Sequence, residues 1–151
     1  MSALISEILE TAQERGREKG VIYEGELLPQ EAYTLLQQAP RARLIDVRTR
    51  AEFDYVGRIP GSVEIEWQTY PGGNPNKTFL AELRGQVDPD EIVMFICRSG
   101  ARSHSAAEAA ASAGFTQAYN VIEGFQGDKD GERHRDTVGG WRLAGLPWYQ
   151  S

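Results

Sequence analysis

The stretch Ile92-Val-Met-Phe-Ile-Cys-Arg-Ser-Gly-Ala-Arg-Ser103 carries the only cysteine of the 151-residue chain at the end of its most apolar run. An uninterrupted apolar run of this length reads as a strand buried on both faces, and therefore central in a sheet. The alanine-rich segment from Ala101 to Ala113, ended by Gly114, reads as a helix. Cys97 therefore lies where a strand passes into a helix, with two arginines, two serines and a glycine directly after it.

Working outward, strands and helices alternate. Pro29–Gln38 reads as a helix with Pro29 in its first turn. Ala42–Arg48 is a strand whose apolar centre carries Asp46. Thr49-Arg-Ala-Glu52 has the form of a capping box opening a short helix through Phe53 and Tyr55. Gly57–Gly61 is a turn, Ser62–Trp67 a strand, Pro71–Pro75 a loop, Thr78–Arg84 a short helix and Gln117–Val121 the last strand. Val21–Tyr23 reads as a first short strand. This alternation predicts an α/β fold whose parallel sheet is covered by helices on both faces. In such sheets ligands bind beyond the carboxyl ends of the strands, where Cys97 lies.

Ahead of this unit, Leu4, Ile5, Ile8, Leu9 and Ala12 recur at the spacing of one helix face, and Gly16 and Gly20 end that helix. Residues 1–20 thus form a helical extension on a single domain of 21–151. Its apolar face is expected to dock on the domain or on another protein. Gly124 to Gly140 is a polar, glycine-punctuated segment before Trp141, expected to be a solvated loop or a lid.

Composition bounds the chemistry. Apolar residues are 40% and charged ones 25% of the chain, as in ordinary globular proteins. A net charge of −6 argues against general affinity for nucleic acid or anionic membrane, so any bound anion needs a local cluster of positive groups. No apolar run approaches the ~20 residues of a membrane span. Met1–Glu10 lacks the features of a secretory signal, and a lone thiol suits the reducing cytoplasm. One cysteine excludes an internal disulfide and leaves no resolving thiol within the chain. His104 and His134 lack the spacing of metal ligands, and neither a metal nor a cofactor is expected.

A cysteine ending a strand is commonly an inert core residue. The neighbours of Cys97 argue otherwise. The helix N-terminus presents unpaired N–H groups, Arg98 and Arg102 add positive charge, and Gly100 lets successive amides turn inward around an anion. All three favour a thiolate, the form in which cysteine is a nucleophile.

The loop Cys97-Arg-Ser-Gly-Ala-Arg-Ser103 resembles the active-site loop of rhodanese-type sulfurtransferases. Leu44–Phe53, Gly57–Ser62 and Asn120–Gly124 resemble further motifs of that family, in the same order. The resemblance covers roughly residues 21–148. It implies a rhodanese-like three-layer fold around a five-stranded parallel sheet. It also implies a ping-pong reaction in which Cys97 takes sulfane sulfur from a donor such as thiosulfate, forming a persulfide, and yields it to cyanide or a thiol. On the same resemblance Arg98, Ser99, Gly100, Ala101 and Arg102 form the cradle, with Arg98 facing the anionic end of the donor. Arg102 either holds the anion or braces the wall. Asp46 and Arg48 match a supporting Asp-Val-Arg strand end, Asp46 either bracing a loop arginine or capping local backbone. Glu52 is expected to pair with an arginine such as Arg58. The family often has histidine where this chain has Arg58, which removes histidine acid–base chemistry at that place.

Two rivals remain. A cysteine phosphatase or arsenate reductase would carry five residues between cysteine and arginine, whereas Cys97 and Arg102 enclose four. A binding module would typically have lost the cysteine. A relay passing persulfide to an acceptor protein remains compatible with an active thiol.

Overall fold

The computed structural model describes residues 2–151. Five parallel strands, β1 (Gly25–Leu27), β2 (Ala42–Asp46), β3 (Val63–Glu64), β4 (Ile92–Ile96) and β5 (Ala118–Val121), lie in the order β1-β5-β4-β2-β3. The helices are α1 (Ala3–Lys19), α2 (Pro29–Gln38), α3 (Arg50–Tyr55), α4 (Phe79–Gln86) and α5 (Ala101–Ser112). The predicted α/β fold with a five-stranded parallel sheet is the observed one, and β4 is its fully buried middle strand.

Alternation along β4 assigns side chains to two cores. Ile92, Met94 and Ile96 join Leu44, Tyr119 and Val121 beneath α1 and α2. Val93, Phe95 and Cys97 join Ile45, Val47 and Ala118 beneath α4 and α5, against Phe79, Leu83, Ala106, Ala107 and Ala110. Alanines on the inner face of α5 let the helix lie close to the strand that feeds it. The sulfur of Cys97 therefore faces the start of α5.

α1 docks on the domain through Ile5, Ile8, Leu9 and Ala12, while Leu4 is half exposed, outside the expected face. Gly16 does not end the helix. It sits in the α1 interior, where a Cβ would lie 3.0 Å from the Cα of Gly25, and a Cβ on Gly25 would lie 2.5 Å from the Ala12 carbonyl oxygen. Gly20, in the left-handed conformation (φ 71°), is the C-cap. This close approach explains why the first strand is Gly25–Leu27 and not Val21–Tyr23. A glycine and a glutamate make a weak strand signal, but only a glycine fits beneath α1. Residues 21–24 instead bend to carry Tyr23 inward, where its hydroxyl bonds Glu26 (2.8 Å) and His104 Nδ1 (2.7 Å). Burial raises the Glu26 pKa, but bonds from Lys19, Tyr23 and Asn120 outweigh it and hold the carboxyl below its usual range.

The expected third strand, Ser62–Trp67, is laddered only at Val63–Glu64, although Ile65 and Trp67 still donate to the carbonyls of Asp46 and Val47. A short edge strand of this kind offers little template for pairing with another chain.

Candidate active site

Beyond the carboxyl end of β4 the chain turns through residues 97–100 into α5, with Gly100 as N-cap at φ 109°. The Cys97 side chain is almost wholly buried (1% exposed). Its Sγ accepts hydrogen bonds from the Gly100 N–H (3.1 Å) and the Ser103 hydroxyl (3.3 Å). The sequence motif assigns five residues to the cradle, Arg98 to Arg102. The structure brings one of their amides, that of Gly100, to the sulfur and adds Ser103. Ser103 was legible in principle, since it sits one helical turn past the loop and is fully buried.

The segment after β5 fixes the base of the loop. Phe125 N–H bonds the Cys97 carbonyl (2.8 Å), and the N–H groups of Gln126 (2.9 Å) and Gly127 (3.2 Å) bond that of Arg98. Gly124 is required here. Its φ is +64°, and a Cβ would lie 2.6 Å from both the Arg98 and the Cys97 carbonyl oxygens.

The two loop arginines divide their tasks. Arg102 donates to both carboxylate oxygens of Glu52, at 2.7 and 2.9 Å. Burial would raise the Glu52 pKa, but the bonds and charge of Arg102, with the bonds from Thr49, bring it down to about 2. Glu52 therefore pairs with Arg102 and not with Arg58, which binds Asp54 and Glu64 (both 2.5 Å) on an outer wall. The expected capping box does form. Glu52 Oε1 accepts the Thr49 N–H at 3.1 Å and still reaches the arginine. Arg98 forms no ion pair among the described residues.

Asp46 does not brace a loop arginine. Its carboxylate accepts from Arg48 Nε (2.9 Å) and Nη2 (2.7 Å) and from the Arg48 backbone N–H (3.2 Å), so the local capping role is the observed one. Parity explains this. Asp46 follows Leu44 onto the α1/α2 side of the sheet, whereas Cys97 faces α5. Arg48 is fully buried, bonds the Gly57 carbonyl (2.8 Å) and lies 4.1 Å from the Phe125 ring centroid. The pair joins β2 to the turn at Gly57 and supports the site from behind.

Cavities open on both sides of the loop. One of about 480 Å³ is lined by Arg98, Arg102, Glu52, Tyr55, Tyr70 and Gln126, among others. The other, about 770 Å³, lies beside Ser99, Gly100 and Ala101 and is bordered by Glu26, Glu123 and Asp128. The first cavity carries two arginines against one carboxylate, and the second three carboxylates against Lys19, so an anion is favoured on the arginine side.

The 126–140 segment is ordered by its own charges. Asp130 accepts from the N–H groups of Glu132 (2.8 Å) and His134 (2.9 Å) and from the Thr137 hydroxyl (2.8 Å). Asp136 pairs with Arg142, whose guanidinium lies 5.1 Å from the Phe125 ring centroid. The segment is held at its base by Gly127, Gly139 and Gly140, which are buried, while its middle, Gly131 to His134, is exposed to solvent.

A parallel five-stranded sheet with a cysteine loop opening the helix after its middle strand is the architecture that the four motifs implied. The family model for the rhodanese-like domain matches residues 28–130, and the chain belongs to that family. The crystal structure of Rv0390 from M. tuberculosis superposes with a TM-score of 0.78 at 46% identity, covering 85% of this chain and 99% of that one. The thiosulfate sulfurtransferase GlpE of Actinobacillus succinogenes is 30% identical over 122 residues, 81% of this chain and 87% of its own length. An uncharacterized protein of Rickettsia conorii is 33% identical over 124 residues, 78% of this chain and 91% of that protein. No helix among the described residues is long and apolar enough to cross a membrane.

Proposed function

We propose that this chain is a sulfurtransferase that carries sulfane sulfur on Cys97, taking it from thiosulfate or a persulfide donor and passing it to cyanide or a thiol. The observation that carries this reading is the placement of Cys97 Sγ. It accepts two hydrogen bonds at a helix N-terminus, next in sequence to Arg98, which forms no ion pair among the described residues. Those donors stabilise a sulfur anion.

With thiosulfate, the Cys97 thiolate attacks the outer sulfur. A bond forms between Sγ and that sulfur, the sulfur–sulfur bond of the donor breaks, and sulfite leaves with the electron pair. The charge of the thiolate passes to the terminal sulfur of the persulfide. An acceptor nucleophile then attacks that terminal sulfur and restores the thiolate. No proton moves in either step with cyanide or a thiolate as the acceptor, and a thiol loses its proton to solvent before it attacks, so no side-chain base is required at the position of Arg58. With no second thiol in the chain, the acceptor is an outside molecule, either small or a protein, and the reducing cytoplasm is the fitting compartment.

The phosphatase reading fares worse. Its arginine must be free to grip phosphoryl oxygens, and Arg102 is held bidentately by Glu52.

Intact-protein mass measured before and after thiosulfate tests the proposal. A gain of one sulfur atom that disappears with cyanide and is absent in Cys97→Ser is expected. A serine variant that retained the gain, or a wild-type protein that showed none with thiosulfate or any persulfide donor, would overturn it.

A further inference from the structure

The cavity beside Arg98 and Arg102 is larger than thiosulfate or cyanide needs. Its volume of about 480 Å³ lies in the range of sites that enclose whole organic molecules, whereas both of those anions are only a few atoms across. Two segments far from the cysteine build its outer part. Tyr55 is the last residue of α3. Tyr70 belongs to a small turn, which the Thr69 N–H closes onto the Asn74 carbonyl (2.9 Å) and the Asn76 N–H onto the Trp67 carbonyl (3.0 Å). The two tyrosines are 83% and 71% exposed, more than any other tyrosine, tryptophan or phenylalanine among the described residues, and both line this one cavity.

The lining defines a ligand. Arg98 forms no ion pair among the described residues, whereas Arg102 is held by Glu52, so the cavity has one cation free for one carboxylate. Val56 and the two tyrosine rings give apolar surface, and the side chains of Gln68 and Gln126 give amides that match a polar chain such as a peptide. Cyanide uses none of these groups beyond the charge. Aromatic faces and a few polar groups around a free cation are what holds an extended, anionic organic molecule.

We propose that this cavity binds the sulfur acceptor and that the acceptor is an extended organic thiol carrying a carboxylate. Arg98 meets the carboxylate, and Tyr55 and Tyr70 lie against the body of the molecule. This rests on the sulfur transfer proposed above and adds the class of acceptor to it. The acceptor thiolate attacks the terminal sulfur of the Cys97 persulfide. A bond forms between those two sulfurs, the bond from the terminal sulfur to Sγ breaks, and its electron pair returns to Sγ as the thiolate. The product is the persulfide of the acceptor.

Two measurements on the full chain test this, with glutathione as the probe thiol. S-methylglutathione cannot accept sulfur and should bind the wild-type protein saturably in a calorimetric titration. Tyr55→Ala and Tyr70→Ala should each weaken that binding about fivefold, while Tyr55→Phe and Tyr70→Phe, which keep the rings, should stay within about twofold of wild type. Wild type should prefer S-methylglutathione to its diethyl ester, which has the same body without carboxylates, and Arg98→Gln should lose that preference. In the second measurement, protein loaded with sulfur from thiosulfate is discharged by glutathione or by mercaptoethanol, a small thiol with no carboxylate. The ratio of the two rates should fall about fivefold in each alanine variant, whereas a purely structural effect would slow both thiols alike. Absence of saturable binding to wild type, or an unchanged ratio in both alanine variants, would overturn the proposal while leaving sulfur transfer to cyanide intact. Binding of S-methylglutathione to a protein that takes no sulfur from thiosulfate or any persulfide would keep the site and overturn the sulfur-transfer reading on which the acceptor role rests.

Discussion

Glu52 holds Arg102 in a two-point ion pair that joins the first turn of α3 to the first turn of α5. The pair sits on the wall of the cavity beside Arg98 and is mostly shielded from solvent, each side chain being 18% exposed. It fixes the helix that supplies Gly100 and Ser103, and its strength depends on the ionisation of one carboxylate.

That dependence sets a pH window. The Glu52 pKa is lowered on folding from 4.5 to about 2, so its stabilisation is complete above pH 4.5 and is lost as pH falls toward 2. Allowing for partial solvent screening, the pair is worth about 2 kcal/mol at neutral pH. Urea unfolding of wild type and Glu52→Gln across this range should show a stability gap that closes on acidification. A gap independent of pH would show that the carboxylate charge contributes nothing.

Ser103 is fully buried, and its hydroxyl meets the sulfur at 3.3 Å. Ser103→Ala removes one donor from a sulfur anion at a cost of about 1.5 kcal/mol, which corresponds to roughly a tenfold slower reaction. Alkylation of Cys97 by iodoacetamide at neutral pH and sulfur uptake from thiosulfate should both slow, with the unfolding midpoint nearly unchanged. Undiminished alkylation would remove Ser103 from the site.

Asp46 and Arg48 are both completely buried and bonded to one another. Removing only the carboxylate, in Asp46→Ala, leaves a buried guanidinium without its counter-charge and should cost about 3–5 kcal/mol. Arg48→Met combined with Asp46→Ala should be less damaging than Asp46→Ala alone. Sulfur uptake per folded molecule should survive in every variant that folds, because neither residue touches Cys97. A large loss of uptake with stability intact would place the pair in the site after all.

Gly25 passes directly beneath Ala12 of α1. Gly25→Ala puts a methyl 2.5 Å from the Ala12 carbonyl oxygen and should separate α1 from the sheet. Hydrogen exchange at α1 amides should accelerate by at least about tenfold, equivalent to a local loss of about 1.4 kcal/mol. Unchanged protection of α1 would mean that the contact at Gly25 is not what seats it.

Local features of this chain are legible in its sequence, and long-range ones are not. β4 and α5 can be read because burial on both faces leaves an unbroken apolar run, and because the Gly100 turn joins strand to helix within the shortest span. The Glu52 capping box is legible for the same reason, being local. Its second partner is not, since Arg102 lies fifty residues away and only the fold brings them together. β1 escapes its sequence signal because Gly25 is chosen for what it lacks, a side chain beneath α1, and absence leaves no apolar signature. The contact of Asp46 with Arg48 spans only two residues, yet the motif alone does not say which arginine the carboxylate meets. The parity of β2 does.

The thiol owes its location to odd and even. Val93, Phe95 and Cys97 share one face of β4, and Ile92, Met94 and Ile96 share the other. Deleting or inserting a single residue in that strand would leave the composition almost unchanged. It would nonetheless swing the sulfur through the sheet toward α2, away from Gly100, Ser103 and both arginines. The surroundings of the Cys97 sulfur are thus set by a count of residues across a strand with no polar side chain of its own.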